Sequence, residues 1–499
     1  MNYLSICNHQ SVKRRAIPEL LYDEFRDTVL ERMLNHPERH CVNYFGAAEP
    51  GGIRLFCCIA DDVRHQVDVF SCKTSGQEKL LSLTPILPAL ERFEREIFEN
   101  FGIFFSEHPW LKPVRYPFSR ADQSVRMTDY PFFSIQSESL HEVGVGPVHA
   151  GIIEPGHFRF ICNGEQILHL EIQLGYQHRG IESLFLTRTR LPERVTLAEG
   201  IAGDTVVGHT TAFAAVWESL CQSVPSDDIL FARTLALELE RVAIHTGDLS
   251  AVCTDIAYQL GSAVLGRLRT PIVNFMQEWG GNRLSKGLIR PGRNPFPFTC
   301  DLAERLLQVL DEYEPDFKEI NQHLFRLPSA LSRFERTGVV SFEEVSSMGA
   351  VGMTARMSGL NRDIRASHPY GYYPLLEHVP IIKHHGDVYS RVQIRRQEVM
   401  QSLGYIRFLV QNMPEIRSPF SWDEPLQPDL FGLSLIEGWR GEICHCALTD
   451  GNGNLISYKI KDPSFHNWTA LALAVRNNEI SDFPICNKSF NLSYSGHDL

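Results

Sequence analysis

The apolar positions change period several times along the chain, and those changes divide it. Leu20-Leu21-Tyr22-Asp23-Glu24-Phe25-Arg26 carries apolar residues at helical spacing, whereas Ile53–Ala60 and His65–Phe70 read as strands. Glu91–Phe101 is a charged amphipathic helix that Gly102 should end. From Ser119 to Glu142 the period is lost, and the polar string Arg120-Ala-Asp-Gln-Ser124 marks a linker. Beyond it, Leu230–Val242 places Leu235, Leu239 and Val242 three and four residues apart. Leu302–Phe325 repeats that stripe with Leu306, Leu307, Leu310 and Tyr313, while Gly156–Cys162 and Gly441–Lys461 look like strands joined by turns. The pattern predicts an α+β protein. An N-terminal α/β domain (1–118) and a linker (119–142) precede a mainly helical domain (143–499) with small flanking β-sheets.

Composition narrows the classes without naming one. The 499 residues are 43% hydrophobic and 22% charged, enough for a substantial core. A net charge of −12 argues against a nucleic-acid partner, because phosphate neutralisation needs clustered Lys and Arg. No run of about 18 apolar residues occurs. The nearest, Val195–Trp217, is broken by Glu199, Asp204 and His209. The opening Met-Asn-Tyr-Leu-Ser-Ile-Cys lacks a signal-peptide pattern, so a cytoplasmic location is expected. Twelve cysteines then read as reduced thiols, and without a Cys-x-x-Cys no intrinsic iron–sulfur or structural zinc site is expected. Cys444-His445-Cys446 sits on a predicted strand, where alternation turns His445 away from both thiols.

Two short strings carry the chemistry. Tyr176-Gln-His-Arg-Gly-Ile-Glu182 is followed by Gly200-Ile-Ala-Gly-Asp-Thr-Val-Val-Gly-His-Thr210, and near the other end stands Asp462-Pro-Ser-Phe-His-Asn467. Together they resemble the two active-site segments of nickel–iron hydrogenase large subunits. Gly203 and His209 are in register with that pattern. The four positions that carry thiolates in the family hold Ala202, Thr205, Ser464 and Asn467, and neither hydroxyl nor amide replaces a thiolate on a soft metal. A nickel–iron centre is therefore not expected.

A second resemblance covers most of the chain. Glu91–Trp110, an acidic helix followed by Phe101-Gly-Ile103 and His108-Pro109, resembles the small hydrophilic subunit of respiratory complex I. After Gly146-Pro-Val-His149 the chain resembles the large quinone-site subunit of complex I and of energy-converting hydrogenases. Glu238–His245, Gly349–Arg365, Gly386–Arg391, Trp439–Glu442 and Asp462–Trp468 occur in the family's order.

The resemblance implies a subunit of a membrane-associated NADH–quinone-type or hydrogenase-related oxidoreductase, peripheral on the inner membrane. It would form the electron-acceptor cavity beside a partner's iron–sulfur cluster, coupled to ion translocation, with NAD(P)H or quinone as the linked redox partners. A cluster-bearing small subunit and antiporter-like membrane subunits would be its neighbours. By the same resemblance Asp255 matches an acid deep in the quinone pocket; its structural reading is an Asp paired with Arg241 or His245. Gly203 stands where that family has a quinone-binding Tyr. The partnering His falls near Glu154 or Pro155, flanked by His149 and His157, so the pocket is degenerate. His178 and Arg179 would face the partner's cluster, or else form an ion pair with Glu182, and His209 is either a site residue or a satisfied core histidine. Two other readings stand beside this one: an active hydrogenase or formate hydrogenlyase large subunit, and a non-catalytic scaffold.

Overall fold

The computed structural model describes residues 2–149, 153–416 and 424–499. In the N-terminal block three long strands, β1 (Arg39–Glu49), β2 (Gly52–Asp61) and β3 (Gln66–Thr74), form an antiparallel meander with Phe45 opposite Phe56 and Cys58 opposite Val69. Leu4–Ile6 extends it antiparallel to β3, and Glu19–Leu20 pairs parallel with the same strand. The two helices read from the sequence are α1 (Tyr22–Met33) and α2 (Glu91–Phe101); Gly102 closes α2 in the left-handed conformation, φ 73°. Phe25, Tyr44, Phe70, Leu90 and Phe93 pack in the core of this block.

The second block opens with a three-stranded sheet of β4 (His141–Val145), β5 (His157–Asn163) and β6 (Gln166–Gln173). Five long helices follow: α3 (Val206–Leu220), α4 (Asp227–Asp255), α5 (Gln259–Gly280), α6 (Cys300–Leu324) and α7 (Val388–Gln411). A second sheet, β7 (Leu430–Gly438), β8 (Gly441–Thr449) and β9 (Leu455–Lys461), leads into α8 (Ser464–Ala474). Ser11–Lys13 adds to the outer edge of β7, so the first residues of the chain complete a sheet of the second block. The blocks are tied again by His40 Nε2 to Glu442 Oε2 at 2.6 Å, and Lys461 of the second block holds the same carboxylate.

The stripe at Leu235, Leu239 and Val242 places α4 in the core, and the helix goes deeper than a stripe requires. Every residue from Phe231 to Thr246 is buried, so Glu238, Glu240, Arg241 and His245 must be paired inside the protein. Glu238 accepts from Tyr373 Oη and Ser402 Oγ, each at 2.5 Å, and lies 3.5 Å from Arg241 and 3.6 Å from Arg365. Glu398 of α7 takes Arg356 at 2.8 Å, Arg365 at 2.9 Å and His245 at 2.7 Å. Asp363 takes Arg365 at 2.7 Å and His378 at 3.0 Å. The remaining acid, Glu437, is pushed up to about 8 by burial and by Asp363, which leaves three guanidinium groups facing three carboxylates at neutral pH. The strings Gly349–Arg365 and Trp439–Glu442 cross at Gly352 and Gly441. A Cβ on Gly352 would lie 2.1 Å from the Gly441 Cα, so only glycine permits this approach.

Candidate functional site

The four thiolate positions of the hydrogenase pattern are buried, and three of them carry side chains engaged with the protein itself. Asn467 donates to the Val351 carbonyl at 3.1 Å and accepts from its N–H at 3.2 Å. Ser464 Oγ accepts the Ser493 N–H at 2.9 Å, and Thr205 Oγ1 accepts from Arg440 at 3.1 Å. Ala202 offers a methyl group. The Arg440 guanidinium grips Asp204 with two bonds, 2.6 and 2.7 Å, donates to the Asn491 carbonyl at 2.6 Å and lies 3.9 Å over the Trp439 ring. Burial works against its charge; Asp204 outweighs burial and holds it protonated. This donor set, with a guanidinium against one of its members, does not fit a nickel–iron centre.

His209, on α3, is fully buried between two elements. Its Nε2 is 2.9 Å from Asp462 Oδ2, and its Nδ1 is 3.2 Å from His445 Nε2. His445 Nδ1 in turn lies 2.8 Å from Tyr458 Oη. The tautomers follow from the network. Asp462 accepts from Ser464 N at 2.7 Å as well, so His209 donates to it through Nε2 and accepts at Nδ1. His445 then donates from Nε2 and accepts the Tyr458 hydroxyl. Burial raises the cost of ionising Asp462, yet His209 and Arg440 hold its carboxyl below the usual range; burial pushes His445 well down and Tyr458 well up. The chain runs Tyr458–His445–His209–Asp462. As β-strand alternation requires, Cys444 and Cys446 point the other way, toward Asn43 of β1 at 3.8 Å.

Tyr458 borders a surface cavity of about 650 Å³, and His178, Arg179, Glu182, Glu96 and Arg115 also line it. Gly175 and Gln177 donate backbone N–H groups to the Asp498 carboxylate, and His178 Nδ1 lies 2.8 Å from the Asp498 carbonyl. These contacts fix the turn that presents His178 and Arg179. Arg179 is exposed and donates to the carbonyls of Ile201 and Ser495. The ion pair expected between these residues and Glu182 does not form. Glu182 instead accepts the Ile460 N–H at 2.9 Å and pairs with Lys459 at 3.1 Å, which also reaches Glu96 of α2 at 2.6 Å. The N-terminal block thus supplies one wall, and burial holds His178 neutral by pushing its pKa down.

The other expected residues lie apart. Asp255 ends α4 and is exposed, with Lys488 the cation it senses; partial desolvation of its carboxyl raises its pKa and Lys488 opposes the rise. Neither partner anticipated for it is near. Arg241 is 14 positions back along the helix, about 21 Å at 1.5 Å per residue, and His245 about 15 Å. The inward acid on the same face is Asp248, two turns earlier, which pairs with Arg395 at 2.8 Å and accepts from Asn491 at 2.6 Å. Gly203 is exposed, and a Cβ there would meet nothing within 4 Å, so no side chain replaces the family's Tyr. His149 Nε2 bonds the Gly156 carbonyl at 2.8 Å and His157 Nδ1 the Gly146 carbonyl at 3.0 Å, so both hold the β4–β5 turn. Ala150–Ile152 lie outside the described residues.

Glu240 is a site residue that the sequence reading passed over inside Glu238–His245. Its carboxyl accepts the N–H groups of Val207 (2.8 Å) and Gly208 (3.3 Å) in the first turn of α3. Burial outweighs those donors and pushes it from 4.5 up to about 8. A carboxyl raised on folding holds a proton that the unfolded chain has released between these two values. Stability therefore falls as pH rises from about 4.5 to 8 and levels beyond. Glu240→Gln removes the titration and keeps one of the two acceptor oxygens, so its Tm is expected to fall less than the wild type's between pH 4.5 and 8. Calorimetric Tm values across that range check it, and parallel curves for the two proteins would exclude the assignment.

Residues 255–429 match the family described as the 49 Kd subunit of respiratory-chain NADH dehydrogenase, and residues 27–120 match its 30 Kd subunit. Hydrogenase-4 component G of Escherichia coli is 27% identical over 84% of this chain and 75% of its own length. Formate hydrogenlyase subunit 5 of the same organism is 27% identical over 94% of this chain and 83% of its own. An NADH-quinone oxidoreductase protein of Phocaeicola vulgatus is 25% identical over 79% of this chain and 82% of its own. Among the described residues no helix is long and apolar enough to cross a membrane.

Proposed function

The chain belongs to the complex I family, with a 30 Kd-type and a 49 Kd-type domain fused in one polypeptide, and we propose that it forms the acceptor end of a complex I-like oxidoreductase. It would sit peripherally on the cytoplasmic face of the inner membrane, between a cluster-bearing small subunit and antiporter-like membrane subunits; that its relatives are named as a component or subunits of larger enzymes, one of them membrane-bound, supports a place among partner subunits. The observation that carries this reading is the hydrogen-bonded line from Asp462 to Tyr458, which joins the former metal-ligand segment to the cavity beside His178 and Arg179. A partner's iron–sulfur cluster would supply the electrons. The acceptor, of quinone type, takes two electrons and two protons. The chain's own part is to hold the acceptor near His178, place a cation at its edge and move protons along the relay. With no Tyr at 203 and His149 spent on Gly156, the acceptor is held differently from the two-donor arrangement of the family. Asp255, at the exposed end of α4, would lie on surface open to a partner subunit.

Arg179 tests the cavity's orientation. Arg179→Gln in the purified complex is expected to lower the potential of the nearest partner cluster by about 70 mV, the effect of one charge about 10 Å away at an effective dielectric near 20. Arg179→Lys keeps the charge and should keep the potential. A redox titration followed by EPR that gives one potential for all three proteins would place the cluster elsewhere.

A further inference from the structure

A second cavity, of about 500 Å³, opens between the two fused blocks on a wall that the relay does not touch. One side is α2 with Trp110; the other is β6 with α8. Two histidines on its wall each leave a buried ring nitrogen without a partner, Nε2 of His466 and Nε2 of His169. His466 is 3% exposed, so its free nitrogen is not satisfied by bulk water. Such an atom carries a desolvation cost unless something bonds it.

The cations around it are short of partners too. Arg92 donates to Thr469 Oγ1 at 3.3 Å and meets His497 Nε2 at 2.9 Å. Its nearest carboxylate, Glu91, is 3.9 Å away and already bound to Arg95 at 2.5 Å. The other acid of the wall, Glu171, is held by Lys112 at 2.7 Å. Arg476, just past α8, makes no ion pair among the described residues and is exposed at the rim. Between these groups lie the indoles of Trp110 and Trp468. Neutral imidazoles with free nitrogens, uncompensated guanidinium groups and aromatic walls suit one kind of molecule: charge-assisted bonds take an anionic end and the rings take an aromatic body.

We propose that this cavity binds an organic anion with an aromatic body, its anionic group between Arg92 and Arg476 and its polar edge on His466 and His169. The volume suits a molecule of one or two fused rings with a single carboxylate or phosphate. Both blocks contribute to the wall, so the ligand also fastens the 30 Kd-type domain to the 49 Kd-type domain.

Titration calorimetry on the full chain in its complex tests this, with 2-naphthoate as the aromatic carboxylate and adenosine monophosphate as the aromatic phosphate. At least one probe is expected to bind one to one with submillimolar Kd, and which one binds identifies the anion. Arg476→Gln, at the exposed rim, should weaken it about tenfold. Ala472→Phe, which fills the cavity from α8, should abolish binding while circular dichroism stays unchanged. Neither probe binding at about 1 mM would overturn the proposal, as would Arg476→Gln and Ala472→Phe both binding like the wild type.

Discussion

Tyr458→Phe in the assembled complex is expected to slow donor-to-acceptor electron transfer by about a hundredfold, the lower range for a lost positioned proton donor. The substitution is small. The ring stays stacked on Phe185, 4.2 Å between centroids and 15° from parallel, so packing is kept. What goes is the hydroxyl that donates to His445 Nδ1 at 2.8 Å. Without it no hydroxyl links His445 to the cavity, and protons must reach the acceptor another way. The loss should carry a changed solvent isotope effect and pH profile, which a purely structural role would not produce. If Tyr458→Phe assembles normally and turns over at the wild-type rate, the relay carries no protons.

Glu398→Gln is expected to cost about 3–5 kcal/mol of stability, because it strips one charge from a closed buried network. Glu398 alone is approached by Arg356, Arg365 and His245 within 3 Å, and none of these groups reaches solvent. Three guanidinium groups, Arg241, Arg356 and Arg365, would be left facing two ionised carboxylates, Glu238 and Asp363, beside a largely protonated Glu437. A loss of that size is a large share of the roughly 5–15 kcal/mol that holds a domain folded. Soluble yield should collapse, or Tm fall by several degrees. Adding Arg356→Met removes the stranded cation and should recover part of the loss. A double-mutant cycle that adds without coupling would show the network to be a set of independent pairs.

The fold was legible where one period dominates. Strand alternation in Ile53–Ala60 and the three-four spacing in Leu302–Phe325 became β2 and α6, and Gly102 ended α2. Alternation also turned His445 from its flanking thiols. Pairing across the chain was not legible. Nothing local says that Ser11–Lys13 joins a strand over 400 positions away, or that Glu182 meets Lys459 rather than His178 or Arg179. Asp255 shows a narrower reason. The resemblance singled out an acid on the same face of α4 as Asp248 but two turns beyond it, and spacing fixes direction around a helix and not depth. Glu240 was hidden for the opposite reason: a Glu within a charged string looks solvated until the helix proves buried on every side.

Nickel content by elemental analysis of the purified complex, together with hydrogen uptake using a viologen dye and reduction of a quinone-type acceptor, decides between a metal site and an acceptor site. Asn467 and Ser464 are bound to backbone, and Arg440 lies against Thr205, so no stoichiometric nickel and no hydrogen uptake are expected, while acceptor reduction depends on this chain. One nickel per chain, or hydrogen-dependent dye reduction, would contradict the acceptor site.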